Sequence, residues 1–344
     1  MKIPLKNTTL LQHILRPLSF VYSAVQTLRA LFYRYGLLRT NRLPGYVISI
    51  GNLEAGGTGK SPVTMAIVEI LREKGFTPAI LTRGYKSGLK AEESVCLLGE
   101  QIIMQPQETA HFHADEARMQ AAKLETVPVI VGRNRLAAAK RYLQSYEQPS
   151  HWILDDGMQH LKIERDLNIV LLNYQYPFDN LLTLPSGHLR EGPHALSRAD
   201  LVFLTRAKIN EGQVSLRPYY NGPVTPVSFA MSTPLPWKHS RPFTKSTDKS
   251  LLLLGIAGPD RLVSHLKDLN IQIYRSQIVG DHQPFEFSNI VHLASDCDVV
   301  ITTEKDVYRQ EDSFSSLGKP VYIIRLDLDI TCIKSALPSK VFTT

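Results

Sequence analysis

Three stretches of this sequence bring together residue types that handle phosphoryl groups. The first is "SIGNLEAGGTGKSP", residues 49–62. A phosphate-binding loop needs a row of backbone N–H groups facing the anion, which Gly56, Gly57 and Gly59 supply in conformations closed to other residues. Lys60 stands where it reaches the β- and γ-phosphates, and the Ser61 hydroxyl where it ligates Mg²⁺. The strict motif G-x-x-x-x-G-K-[ST] wants a glycine at position 54, where this chain has Glu54. A Gly-rich turn before an ordinary helix is the competing reading. The context of strand, loop, Lys-Ser and helix outweighs it, so Glu54, Ala55, Gly56, Gly57, Thr58, Gly59, Lys60 and Ser61 are the expected nucleotide-binding residues.

The second stretch, "HWILDDGMQH" (151–160), ends a strand in paired carboxylates. Asp155 and Asp156 sit where an acid would hold Mg²⁺ directly or through water, or else cap the following turn. The third, "LPSGHLREGP" (184–193), carries Arg190 and Glu191. Arg190 can neutralise charge on a transferring phosphoryl group, and Glu191 can add a metal ligand. Taken alone, this stretch equally fits a surface turn with a solvated ion pair.

These groups need a scaffold, and the apolar runs supply one. Residues 46–50, 78–82, 127–132, 151–156, 168–173 and 201–205 read as buried parallel strands with helices or loops between them. The expected fold is α/β, a P-loop core whose mostly parallel sheet is flanked by helices on both faces. Residues 207–249, rich in Pro, Ser and Thr, read as a boundary or hairpin linker. Runs at 251–258, 299–303 and 321–325 then restart the rhythm as a smaller second α/β domain. The expected segments are therefore 1–44, 45–207, 208–249 and 250–344.

Charge is unevenly placed. Residues 1–53 contain Lys2, Lys6, Arg16, Arg29, Arg34, Arg39 and Arg42 and no acid, which matches the net +7 of the whole chain. The body is thus neutral, which argues against nucleic-acid binding and for something anionic near the N-terminus. Leu11, Ile14, Leu18, Val21, Val25, Leu28, Phe32 and Tyr35 follow at spacings of three and four, one face of a helix. Arg16 and Arg29 interrupt the run, so a membrane-spanning helix is not expected, and Pro17 is expected to start or kink the helix. Two readings stand: a helix packed on the domain, or a basic amphipathic helix on an anionic membrane face. Cys96, Cys297 and Cys332 are far apart and fit unrelated thiols in a reducing compartment.

Taken together, these stretches resemble the tetraacyldisaccharide 4′-kinases of lipid A biosynthesis. The resemblance also rests on "LTRGYK" (81–86), "ADEA" (114–117), "GDHQPF" (280–285) and "TTEKD" (302–306), and is collinear from about residue 45 to 306. It implies a peripheral enzyme on the cytoplasmic face of the inner membrane. There it would move phosphate from ATP, with Mg²⁺, to the 4′-hydroxyl of an acylated disaccharide 1-phosphate, giving lipid IVA. That family's loop has no glycine at the position of Glu54. Its Asp–His catalytic dyad corresponds here to Asp115 and His282. Two residues depart from its pattern: Ala117 stands where Pro is usual, and Met158 where an aromatic is usual. A P-loop ATPase or GTPase switch of the metal-centre assembly or transport type would need only the loop and Asp155/Asp156; a non-enzymatic membrane-associated nucleotide sensor would keep the loop and require no base. A guanine-reading motif would need Asn where Glu304 stands before Lys305 and Asp306, a pair that fits either nucleotide contact or a structural ion pair.

Overall fold

The computed structural model describes all residues except 1–4, 7, 85–86, 107–111, 113, 208–213, 239, 244–247, 257, 281–282 and 344. In chain order the elements are α1 (Leu10–Arg34), β1 (Tyr46–Asn52), α2 (Lys60–Glu73), β2 (Pro78–Thr82), β3 (Ser94–Leu98), β4 (Gln101–Met104), α3 (Asp115–Leu124), β5 (Val129–Gly132), α4 (Arg135–Tyr142), β6 (His151–Asp155), β7 (Leu167–Asn173) and β8 (Leu201–Thr205). They continue with β9 (Val224–Val227), β10 (Phe229–Met231), β11 (Leu235–Pro236), β12 (Ser250–Leu254), α5 (Asp260–Asp268), β13 (Ile273–Ile278), α6 (Phe287–Ser295), β14 (Val299–Thr303), α7 (Glu304–Arg309), α8 (Glu311–Ser315), β15 (Val321–Ile324), β16 (Leu326–Leu328) and α9 (Ile330–Ala336). Two compact units result. One holds Met1–Phe112, Gln120–Phe229 and Leu328–Thr344; the other holds His113–Met119 and Ala230–Asp327.

The first unit is built on a nine-stranded sheet in the order β4-β3-β5-β2-β6-β1-β7-β8-β9. All its pairings are parallel except those of β3, which runs antiparallel to both neighbours. β1 is buried along its whole length between β6 and β7, as its unbroken apolar run requires. One core layer gathers Val47, Leu81, Trp152 and Ala138; the other gathers Leu53, Met158, Phe178 and Leu204. Each expected strand is found within two residues of its expected ends, apart from the run at 251–258, whose strand stops at Leu254. There the Gly255 N–H turns aside to the carboxylate of Asp306. The hairpin β3–β4 was not legible, being two short runs parted only by Gly99 and Glu100. Residues 224–227, expected as linker, add edge strand β9 beside β8, an edge position being one that tolerates Pro226. Residues 328–344 group with the first unit although the sequence reading set them in the second domain.

α1 is inverted. Its packed side carries Gln12, Ser19, Tyr22, Gln26, Arg29 and Tyr33, while the apolar stripe faces outward, with Leu18 58 %, Val21 60 % and Val25 55 % exposed. The stripe therefore does not pack on the domain. Polar contacts fix the inner face: Ser19 Oγ donates to the Thr183 carbonyl (2.8 Å) and accepts from Ser186 N (2.9 Å), and Thr183 Oγ1 donates back to the Ser19 carbonyl. Thr9 and Gln12 form a reciprocal capping box, so the helix begins at Leu10 and Pro17 lies inside it, not at its start. These ties at either side of Pro17 offset the hydrogen bond that proline cannot donate. No described helix is long and apolar enough to cross a membrane.

The second unit has a five-stranded sheet, β11-β15-β14-β12-β13, parallel except for β11. Its core layers gather Leu253, Phe285, Ile290 and Phe314 on one face and Leu252, Leu266 and Tyr322 on the other. β13, an exposed and polar edge strand, carries no apolar run and was not legible in the sequence.

Candidate active site

The strand register sets the chemistry of the first unit. Ile50 of β1 pairs with Asp155 of β6, so the loop after β1 and the carboxylates after β6 leave the sheet side by side at its carboxyl edge. Close packing holds them there. A Cβ on Gly51 would lie 2.5 Å from Met158 Cβ, so glycine lets the Asp155–Met158 turn rest on β1. Met158, where the family's aromatic is usual, is completely buried under that contact.

The loop itself is stitched at several points. Asn52 Nδ2 donates to Thr58 Oγ1 (2.9 Å), and Arg206 donates to the Gly57 carbonyl. Ala55 N donates to the His188 carbonyl (2.7 Å) and Arg190 N to the Leu53 carbonyl (2.6 Å), with Glu54 bridging to Leu189. The LPSGHLREGP stretch is thus the wall of the phosphate loop rather than a solvated surface turn. Burial raises the pKa of the Glu54 carboxyl, partly offset by Lys6. At Gly59, φ is +85° and an added Cβ would meet the Phe229 ring at 2.5 Å. Gly59→Ala is therefore expected to cost about 1–2 kcal/mol for the left-handed backbone alone, lowering Tm by several degrees. Calorimetry of Gly59→Ala beside Gly59→Ala/Phe229→Ala checks this: the second variant recovers the steric part and retains the backbone part.

Asp156 is the electrostatic centre. Its carboxylate receives Arg190 Nη1 at 2.7 and 2.9 Å and lies 3.5 Å from Lys60 Nζ. Arg135, 2 % exposed, donates both Nη groups to the Asp156 carbonyl at 3.0 and 3.1 Å. Burial alone would raise the Asp156 pKa, but Lys60, Arg190 and Arg135 outweigh it and bring it to about 2. Asp156 thus stays ionised throughout the neutral range. Asp155 is differently placed: Thr64 Oγ1 and Gln120 Nε2 occupy its two oxygens at 3.2 and 2.8 Å, and the residue is buried. Its carboxylate braces α2 and α3 against the sheet.

The donor set fits a hard, oxygen-seeking cation such as Mg²⁺. Asp156 keeps a partly exposed carboxylate, and Ser61 offers a hydroxyl in the first turn of α2. Glu191 Oε2 accepts from Arg198 at 2.7 Å, while its Oε1 is buried with no hydrogen-bond partner among the described residues. Asp155 would have to surrender existing hydrogen bonds to ligate directly.

Several residues of this unit were not anticipated, because single arginines and a glutamine between motifs carry no local signal. Arg29 of α1 donates to the Gln159 carbonyl (3.1 Å), bringing the N-terminal helix to the Asp-Asp-Gly-Met-Gln-His turn. His160 beside it is pushed down to about 3 by burial, then by Arg135, Arg165, Lys162 and Arg29. It is neutral at physiological pH, amid a concentration of cationic charge.

The second unit holds Asp115 at the start of α3. Its Oδ2 accepts from Arg309 Nε at 3.2 Å and its Oδ1 from Glu116 N at 3.0 Å. His282 lies outside the described residues. In the TTEKD stretch, Thr303 caps α7 and the fully buried Asp306 accepts from Thr303 Oγ1 (2.7 Å), Gly255 N (3.1 Å) and Arg309 Nη1 (2.7 Å). Lys305 pairs with Glu116 at 3.0 Å. Of the two readings for Lys305 and Asp306, the structural one holds for Asp306. Cys96 and Cys297 are buried, Cys332 is half-buried, and none forms a disulfide.

Comparison with known proteins agrees with this geometry. The family model "Tetraacyldisaccharide-1-P 4'-kinase" matches residues 11–341. The chain is 32 % identical to the tetraacyldisaccharide 4′-kinase of Pelobacter propionicus over 325 residues, 92 % of this chain and 88 % of that protein. It is 32 % identical to that of Desulfotalea psychrophila, over 93 % and 95 % respectively. Among solved structures, LpxK from Aquifex aeolicus in complex with ATP aligns with a TM-score of 0.74 at 25 % identity, covering 97 % of this chain and all of that one. These findings favour a kinase over an ATPase or GTPase switch. The phosphate loop, the Asp156 cation cluster and the near full-length match to the family model converge: the chain belongs to the tetraacyldisaccharide-1-phosphate 4′-kinase family.

Proposed function

We infer that this protein transfers the γ-phosphoryl group of ATP to the 4′-hydroxyl of a tetraacyl disaccharide 1-phosphate, giving lipid IVA. The observation that carries the reading is the convergence of Lys60 and Arg190 on Asp156 at the start of α2. Phosphoryl transfer requires cations placed beforehand around a group whose negative charge spreads over its equatorial oxygens. Lys60 and the backbone N–H groups of residues 56–61 hold the β- and γ-phosphates at a helix N-terminus. Asp156 fixes the Lys60 ammonium and the Arg190 guanidinium so that neither must reorganise as charge develops. Mg²⁺, held by Ser61, Asp156 and Glu191, would supply further neutralisation of the triphosphate. Asp115, acting with His282, accepts the proton of the attacking hydroxyl as the O–P bond forms. The cations around Gln159 and His160 suit an acceptor that itself bears a phosphate.

The inverted α1 supports docking on an anionic membrane at the cytoplasmic face, where ATP is available. Its apolar side is exposed, and Arg16, Arg34 and Arg39 are exposed cations on or just after it. Lys6, Arg29 and Arg42 are instead engaged by the body of the unit, through Asp179, Gln159 and Glu164/Asp166. Leu18→Gln/Val21→Gln/Val25→Gln changes only exposed positions, so Tm should not move. Partition onto anionic vesicles should weaken by about 100-fold or more, from the lost apolar burial. Undiminished flotation with the vesicles would remove α1 from membrane docking.

The catalytic reading is tested by the dependence of ATP consumption on acceptor. A kinase consumes ATP in proportion to added disaccharide 1-phosphate in micelles. Consumption at the same rate with and without it would indicate a nucleotide switch.

A further inference from the structure

Asp115 does not hold its place alone. Arg309, the last residue of α7 and 9 % exposed at its side chain, reaches four groups at once. Nε donates to Asp115 Oδ2 (3.2 Å), Nη1 to the buried Asp306 Oδ1 (2.7 Å) and to the Gln283 carbonyl (3.2 Å), and Nη2 to the Gly255 carbonyl (3.2 Å). Asp306 is fixed in turn by Thr303 and by Gly255 N, so the guanidinium is clamped from behind. The next residue, Gln310, holds the backbone of Phe285 twice, accepting from its N–H (2.6 Å) and donating to its carbonyl (2.8 Å). The end of α7 therefore ties the Asp115 carboxylate to residues 283–285 and to the end of β12, all within the second unit.

We propose that Arg309 is a positioning residue for the Asp115 carboxylate, the planar guanidinium fixing the orientation in which the carboxylate meets the reacting hydroxyl. The proposal rests on the assignment of Asp115 as a proton acceptor. A surface ion pair would not need this construction, since one exposed Arg–Asp contact gives little stability. Here the fork is almost wholly buried, three of its other four N–H donors are given to Asp306 and to two carbonyls, and Nε is the donor that meets Asp115. Lysine cannot reproduce that geometry, because one ammonium cannot span Asp306, two carbonyls and Asp115.

Misplacing a proton acceptor by about 1 Å costs on the order of 100-fold in rate. Arg309→Ala and Arg309→Lys are therefore expected to lower kcat by about 100-fold and 10–100-fold, with KM for ATP and for acceptor unchanged within about threefold. Arg309→Ala combined with Asp115→Asn should be no slower than Asp115→Asn alone, since groups acting as a unit do not lose independently. A purely structural role would instead lower Tm, raise KM together with the fall in kcat, and multiply with Asp115→Asn. If Arg309→Ala fails to fold, Arg309→Lys decides by the same KM-against-kcat split. Wild-type kcat in folded Arg309→Lys, or multiplicative losses in the double variant, overturns the proposal. Wild-type kcat in Asp115→Asn alone overturns the assignment of Asp115, a result distinguishable from either.

Discussion

Lys60→Ala is expected to lower kcat by about 10³-fold or more while leaving the protein folded. Among the described residues the side chain pairs with the Asp156 carboxylate, which keeps its two-fold hydrogen bond from Arg190, while Arg135 holds the Asp156 carbonyl. Structure is thus maintained by groups other than Lys60, whereas the charge we assign to the β- and γ-phosphates is not replaced. Electrostatic stabilisation is most of what a protein supplies in phosphoryl transfer, and 10³-fold corresponds to about 4 kcal/mol of barrier. Lys60→Arg should recover little, because a broader guanidinium would compete with Arg190 for the same carboxylate. Single-turnover rates with saturating ATP separate this loss from weakened nucleotide binding.

Asp115→Asn should lower kcat by about 10²–10⁴-fold, the range for loss of a positioned proton acceptor. The substitution is isosteric and keeps one of the two acceptor oxygens that Arg309 and the Glu116 N–H now take separately, so the fold should hold while one of these two contacts is lost. KM for ATP should hardly change, since the role proposed for Asp115 is on the acceptor hydroxyl. His282→Ala added to Asp115→Asn should lose less than the product of the separate losses. Strictly multiplicative losses would show that the two residues do not act as one base.

The sequence made the nucleotide side of the site legible because it is local. Strand, glycine loop, Lys-Ser and helix are contiguous in the chain, and the Asp155–Asp156 pair ends an unmistakable apolar run. What it could not separate was the two carboxylates: only the register of β6 and the placement of Thr64 and Gln120 show that Asp155 is a brace and Asp156 the partly exposed charge. Arg135, Arg206 and Arg309 were invisible for the same reason. Each acts on residues 21 to 194 positions away and belongs to no motif of its own. α1 shows the reverse. Its periodicity was plain, but periodicity does not say which face turns inward, and the polar contacts of Ser19 and Arg29 decide that. The missing glycine at Glu54 has a counterpart in the tertiary structure, since that half-buried residue bridges to Leu189 of the 188–190 wall.

The most direct test of the central claim follows the γ-phosphate. Wild-type protein, γ-labelled ATP and Mg²⁺ are incubated with tetraacyl disaccharide 1-phosphate in detergent micelles, and the label is located in the lipid by its chemical position. Label should accumulate at the 4′ position in step with ATP consumption, and at background level with Lys60→Ala. Normal ATP hydrolysis with no label in the lipid would contradict the account.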